Sequence, residues 1–212
     1  VSEDITAESV ISKYIESIGG AEKLNSISSI EVKATANIQG TVLEMYSLKN
    51  DQNQSLMEMS AMGMTIARTV FNKYQGYNEV NGQKIPLTDI ELEQAIINSA
   101  LFSELNYDFE TVELVGTSVV NDEKAYEVKI TDNKSVFYSV ETGLKLKELE
   151  SQEIEGNLII GEVFYNEYEE VDGILLPKEI NQVSAAIPVP GGITFKSTSI
   201  NLNIKTSDSD FN

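Results

Sequence analysis

The stretch Ile30-Glu-Val-Lys-Ala-Thr-Ala-Asn-Ile38 alternates apolar and polar residues at each step. Period two is the signature of a strand with one buried face. Gly40 turns the chain, and the return carries Leu43 and Met45 on one face with Val42, Tyr46 and Leu48 on the other. Working outward, the same texture recurs near 55–60, 64–72 and 74–80, where Asn81-Gly82 gives a strong hairpin signal. It returns at 112–115, 125–130, 135–140, 144–149, 158–168, 176–183 and 193–204. Asn121-Asp122, Asp132-Asn133, Glu141-Thr142-Gly143, Gly156-Asn157, Asp172-Gly173 and a loop with Pro188, Pro190, Gly191 and Gly192 punctuate these runs. About ten or eleven strands at roughly 8–12-residue spacing predict a mainly β (α+β) chain. An antiparallel sheet of that length must curl, so the expectation is an open antiparallel β-barrel.

Two helical segments interrupt the strands. Val10, Ile11, Tyr14, Ile15 and Ile18 recur at three- and four-residue spacing and predict an N-terminal helix over about 7–18, stopped by Gly19-Gly20. Thr6 is the expected N-cap, but Ser9 stands where a capping-box Glu would sit, so the box reads as incomplete. A short second helix is expected over 21–24. In mid-chain, Thr88 and Glu91 form a complete box, and Ile90, Leu92, Ala95, Ile96, Ser99, Leu101 and Phe102 give a broad apolar face. That predicts a helix over about 88–105. The N-terminal and mid-chain helices are expected to cover the concave face of the barrel. No composition break divides the chain, which reads as a single domain over 1–212. The polar tail TSDSDFN is expected to be loose.

Composition removes whole classes of chemistry. The 212 residues include no cysteine and no histidine. Disulfides, thiolate nucleophiles, serine–histidine triads and His- or Cys-ligated metals are therefore excluded. A length of 212 residues buries roughly 70% of the unfolded surface, so no metal or disulfide is needed as a staple. The 34 acidic residues against 15 basic give a formal charge of −19, which opposes nucleic-acid binding and anionic membrane surfaces. No apolar run approaches the roughly 20 residues of a membrane span, so the chain is not expected to be integral to a membrane. The opening VSEDITAESV lacks the charged start and apolar stretch of a signal peptide. The expectation is a cleaved leader or a start inside a longer protein.

All five methionines, Met45, Met57, Met59, Met62 and Met64, fall within 45–64. Methionine is flexible and polarizable and is over-used on adaptable apolar binding surfaces. Local sequence favours ordinary core filling, while the clustering keeps the binding reading open. The stripe with Ile96, Leu101 and Phe102 reads the same two ways. If the mid-chain helix covers an open sheet, stripe and methionines would face each other across a cleft. Acidic pairs such as Glu91/Glu93, Asp122/Glu123, Glu169/Glu170 and Asp208/Asp210 are what 34 acids produce by chance, and the calcium-loop pattern is absent. Phe164, Tyr165 and Tyr168 sit among glutamates and read as strand packing. No enzyme, metal or cofactor is expected.

Four stretches carry a family resemblance: Ile18-Gly-Gly-Ala-Glu-Lys-Leu24, Met57-Glu-Met-Ser-Ala-Met-Gly-Met-Thr-Ile66, Val140-Glu-Thr-Gly-Leu144 and Tyr168-Glu-Glu-Val-Asp-Gly-Ile-Leu-Leu-Pro177. With these, nearly the whole chain resembles outer-membrane lipoprotein-sorting-like envelope proteins of the Bacteroidetes type, which have a LolA/LolB-like fold. Similar segments occur fused to M16-type zinc peptidases. The resemblance implies an open barrel whose cavity takes an acyl chain or other lipid-like ligand, and a periplasmic or outer-membrane-associated location. The implied partners are an envelope lipoprotein or, in the alternative of a non-catalytic accessory domain, an M16-like peptidase. The apolar cavity would be lined by Met45, Met57, Met59, Met62, Met64, Ile96, Leu101 and Phe102.

Overall fold

Alternation at 30–38 does produce a strand. Ala34 and Ala36 are buried while Lys33 and Thr35 on the other face are not both covered, as period two requires. The structure is a computed structural model that describes residues 5–154, 157–185 and 189–212. Residues 1–4 of the polar opening, Gly156 of one expected turn and Pro188 of the expected loop lie outside the described residues.

The described residues form three α-helices: α1 (Ala7–Ser17), α2 (Ala21–Asn25) and α3 (Asp89–Ile97). The first strands are β1 (Ser29–Ile38), β2 (Thr41–Asn50), β3 (Ser55–Ala61), β4 (Met64–Phe71), β5 (Gly76–Val80) and β6 (Gln83–Pro86). They are followed by β7 (Glu113–Val120), β8 (Glu123–Thr131), β9 (Lys134–Ser139), β10 (Lys145–Ile154), β11 (Asn157–Val171), β12 (Ile174–Ser184) and β13 (Ile193–Leu202). The chain is thus mainly β, as expected, but with thirteen strands in one sheet among the described residues rather than ten or eleven. A strand with nothing to bury leaves a weak period-two signal: β6 is four residues long, all exposed.

The chain divides into two compact units, Val1–Glu22 with Glu104–Thr194, and Lys23–Ser103 with Phe195–Asn212. In the first, the strand order is β12-β11-β10-β9-β8-β7. α1 lies on this layer, burying Val10, Ile11, Tyr14 and Ile15. The Tyr14 ring meets Tyr138 of β9 at 5.2 Å, and Lys13 Nζ donates to the carbonyls of Val140 and Glu141 at 2.8 and 3.0 Å. The capping box that looked incomplete is closed: the Ser9 hydroxyl accepts from the Thr6 N–H, and the Thr6 hydroxyl accepts from the Ser9 N–H. A serine side chain is long enough to do what the motif assigns to Glu or Gln. At the helix end, Gly19 has φ +137°, and a Cβ there would stand 3.1 Å from the Gly173 carbonyl. That close approach lets the Leu175 N–H donate to Ile18 O at 3.0 Å, tying α1 to the β11–β12 turn.

In the second unit, the order is β6-β5-β4-β3-β2-β1-β13. Its core includes Leu48, Val70 and Phe211, with Tyr46, Leu56, Tyr77 and Ile204 against them. Phe211 lies in a terminal 3-10 turn, Asp208–Phe211, and is 1% exposed. The tail is therefore not loose. Gln54 Nε2 donates to Asp208 at 3.0 Å, and Asn72 Nδ2 donates to Phe211 O at 3.1 Å. One aromatic residue in a polar heptapeptide outweighed the composition around it.

The mid-chain helix is shorter than 88–105. Thr88 and Glu91 form the expected box, but α3 ends at Ile97, and a separate 3-10 turn runs Ser103–Asn106. Ser99 terminates it, its hydroxyl donating to Ile96 O at 2.8 Å and Asn53 O at 3.2 Å. No α3 residue is buried.

Candidate apolar ligand-binding face

Residues directly opposite each other on neighbouring strands share a face. The register of β1 to β6 therefore sorts this half of the sheet by side. One face carries the rows Ala34–Met45–Met59–Ala67–Val80, Val32–Ser47–Met57–Thr69–Asn78–Ile85 and Ala36–Leu43–Ala61–Met64. None of these fifteen residues is charged, in a chain of net charge −19; the next row on the same face, Ile30–Lys49–Ser55–Phe71–Gly76, brings Lys49 to the border of this uncharged patch. The other face alternates the core, Leu48–Leu56–Val70, with a charged band. That band pairs Lys33 with Tyr46, Tyr46 with Glu58, Glu58 with Arg68, and Arg68 with Glu79.

The uncharged patch is open at its β3–β6 end. Met57 is 42% exposed, Met64 65%, and Val80 and Ile85 about half. Met45 and Met59, paired across β2 and β3, are half-buried. Met62 sits at the β3–β4 hairpin tip with φ +53°, beside Gly63 at φ +76°. Of the eight residues expected to line a cavity, the register thus gathers Met45, Met57, Met59 and Met64 on one face, with Met62 at its rim. Ile96 belongs to α3, Leu101 and Phe102 to the turn after it; Ile96 and Leu101 are half-buried and Phe102 is buried. Uncovered apolar groups on α3 are Ile90 and Ile97.

The first unit holds a buried polar cluster that sequence reading missed. Lys145 at the start of β10 reaches Glu104 of the 3-10 turn at 2.5 Å and Glu148 at 2.7 Å, and Lys134 reaches Glu148 at 3.3 Å. The Tyr14 and Tyr165 rings each lie 5.4 Å from Lys145 Nζ, and the Tyr168 hydroxyl donates to Lys145 O at 2.9 Å. Burial works against the Lys145 charge, but Tyr14, Glu104, Tyr165 and Glu148 outweigh it and hold its pKa well above the ordinary lysine value. Burial likewise pushes the Glu148 carboxyl up, yet Lys145 and Lys134 outweigh that and hold it at about 2. Desolvation raises the hydroxyl pKa of Tyr14, Tyr138, Tyr165 and Tyr168.

Several hollows open among the described residues. One of about 590 Å³ lies between Thr6, Ala7 and Glu8 and residues 109–114. Another, of about 280 Å³, follows the charged band at Lys33, Glu44, Tyr46, Glu58 and Ser60, with Met45 at its edge. A third, about 340 Å³, lies between Tyr74, Tyr77, Lys84, Pro86, Leu87 and Leu92. Among the described residues, no helix is long and apolar enough to cross a membrane, and no group of three acidic residues is placed to hold a metal ion.

No family model and no curated protein matches the chain. Solved structures do. A LolA superfamily protein from Nitrosomonas europaea superposes with a TM-score of 0.60 at 14% identity, covering 98% of both chains. A DUF1329 family protein from Desulfovibrio piger gives a TM-score of 0.57 at 13% identity, covering 97% of this chain and 96% of that one. Similarity this low in sequence and this complete in coverage concerns the fold, and the fold of this chain is LolA-like.

Proposed function

We propose that the chain binds and carries a lipid-like group, foremost an acyl chain, on the uncharged patch of β1–β6, without catalysing a reaction, in the cell envelope. The observation that carries this reading is the fifteen-residue uncharged patch, rich in methionine and partly exposed, in so acidic a chain. Monomeric proteins leave such surface uncovered mainly where something binds. Methionine adapts to guests of irregular shape, and each buried methylene contributes about 0.8 kcal/mol. The resemblance to lipoprotein-sorting-like proteins and the LolA-like fold point the same way.

The experiment is titration with a pyrene-labelled fatty acid, with native mass spectrometry after mild extraction. The labelled acid should bind with saturation and be displaced by palmitate. Met57→Asp, at an exposed position, should weaken binding at least tenfold by placing a charge among apolar groups. A chain that extracts empty and ignores both fatty acids and lipopeptides contradicts the proposal.

A further inference from the structure

The outermost strands of the sheet, β6 and β7, are built differently. β6 has four residues, carries Lys84 and ends on Pro86. Brevity, charge and a missing N–H are the devices by which proteins blunt a sheet edge. β7 has eight residues, and from Leu114 to Val120 it holds neither charge nor proline. Its single bulge lies between Leu114 and Gly116; from Gly116 to Val120 the register with β8 is regular. Among the described residues, its backbone pairs with β8 alone. A strand directs alternate N–H and C=O groups away from its neighbour, so the outer side of β7 offers an unpaired row. Its exposed positions are Val115, Thr117 and Val119, the valines at 54% and 70%.

We propose that β7 takes up an extended peptide segment of a partner protein as an added strand, the segment being β-branched and apolar in its middle and basic at both ends. The backbone row sets the extended conformation, and Val115, Thr117 and Val119 set the apolar middle. The flanks set the charge. Asp108, Glu110 and Glu113 crowd one end of β7, and Asp122 and Glu123 the other. The adjoining strand supplies Lys124 and Lys129, of which Lys129 is held by Asp132 at 2.7 Å. A second copy of this chain fits worse. Two β7 strands running antiparallel would bring the Glu110 and Glu113 end of one copy onto the Asp122-Glu123 end of the other.

The probe is a synthetic peptide, Lys-Lys-Val-Thr-Val-Thr-Val-Lys-Lys, titrated into the full chain while amide hydrogen exchange is followed residue by residue. Binding should slow exchange at β7, weaken as salt rises, and fall at least tenfold in Val119→Lys or when glutamate replaces lysine in the peptide. No binding at millimolar peptide, or binding that leaves β7 amides unprotected, overturns the proposal. Concentration-dependent dimerisation in sedimentation that Val119→Lys abolishes also overturns it, in favour of a second copy.

Discussion

In the unit of α1 and β7–β12, Lys145, Glu104 and Glu148 bury charge among tyrosine rings. In the unit of β1–β6, a fifteen-residue patch bordered by Lys49 has no charge within it and leaves Met57 and Met64 in solvent. A buried ion cluster tolerates one geometry, because any displacement leaves a charge unpaired in a medium that solvates it poorly. An apolar face built of methionine tolerates many, because no single contact dominates. One unit is specified by what it cannot rearrange, and the other keeps a surface that can adjust.

The largest test of that contrast is Lys145→Met. It keeps the volume but leaves Glu104 buried without its ammonium partner, and Glu148 with Lys134 alone. Breaking a buried pair from one side costs about 3–5 kcal/mol, so the chemical-denaturation midpoint should fall accordingly. Adding Glu104→Gln should recover much of the loss, since both sides of the pair are then neutral. A cost under about 1 kcal/mol for the single variant would mean that the cluster is solvated and specifies nothing.

A smaller effect separates the units by pH. The Glu148 pKa is depressed, from an ordinary 4.5 to about 2. A depressed acid contributes stability that is fully present above its unfolded pKa and is lost as pH falls through the folded one. The loss attributable to Glu148 should therefore fall between about pH 4.5 and 2. In acid titrations, the difference between wild type and Glu148→Gln should be greatest above pH 4.5 and shrink toward pH 2. A difference that stays constant over that range would show that the depression is absent.

The two regions also differ in how far the sequence disclosed them. Period two at 30–38 and the pairing of Leu43 with Met45 on one side of the return strand predicted which residues share a face, because a strand's face is a local property. Helix caps were local as well, and Thr6, Thr88 and Glu91 stand where expected. The ion cluster was illegible: Tyr14, Glu104, Tyr138 and Lys145 are distant along the chain. Alternation in Leu144-Lys-Leu-Lys147 also places Lys145 on the polar side of its strand. A register shift between Lys145 and Lys147 changes that local pattern. The end of α3 was missed because Ser99 continues the apolar stripe in register while its hydroxyl closes the helix. The anchored tail was missed because Phe211 finds its partners on strands far behind it in sequence.

The smallest predicted effect is the one that bears most directly on the methionine face. Truncating a core leucine in the same unit, Leu48→Ala, removes atoms that are 4% exposed and should cost about 2–5 kcal/mol. Met57→Ala and Met64→Ala remove atoms that already meet water, so each should change stability by less than about 0.5 kcal/mol. Urea denaturation of the three variants measures both numbers on one scale. The near-zero value is the informative one, because a methionine that contributes little to folding but much to retention of the labelled fatty acid acts at a surface kept for a guest. If Met57→Ala instead costs as much as Leu48→Ala, the side chain is core, the uncharged patch is packed interior, and the contrast between the two units reduces to one between polar and apolar ways of filling a fold.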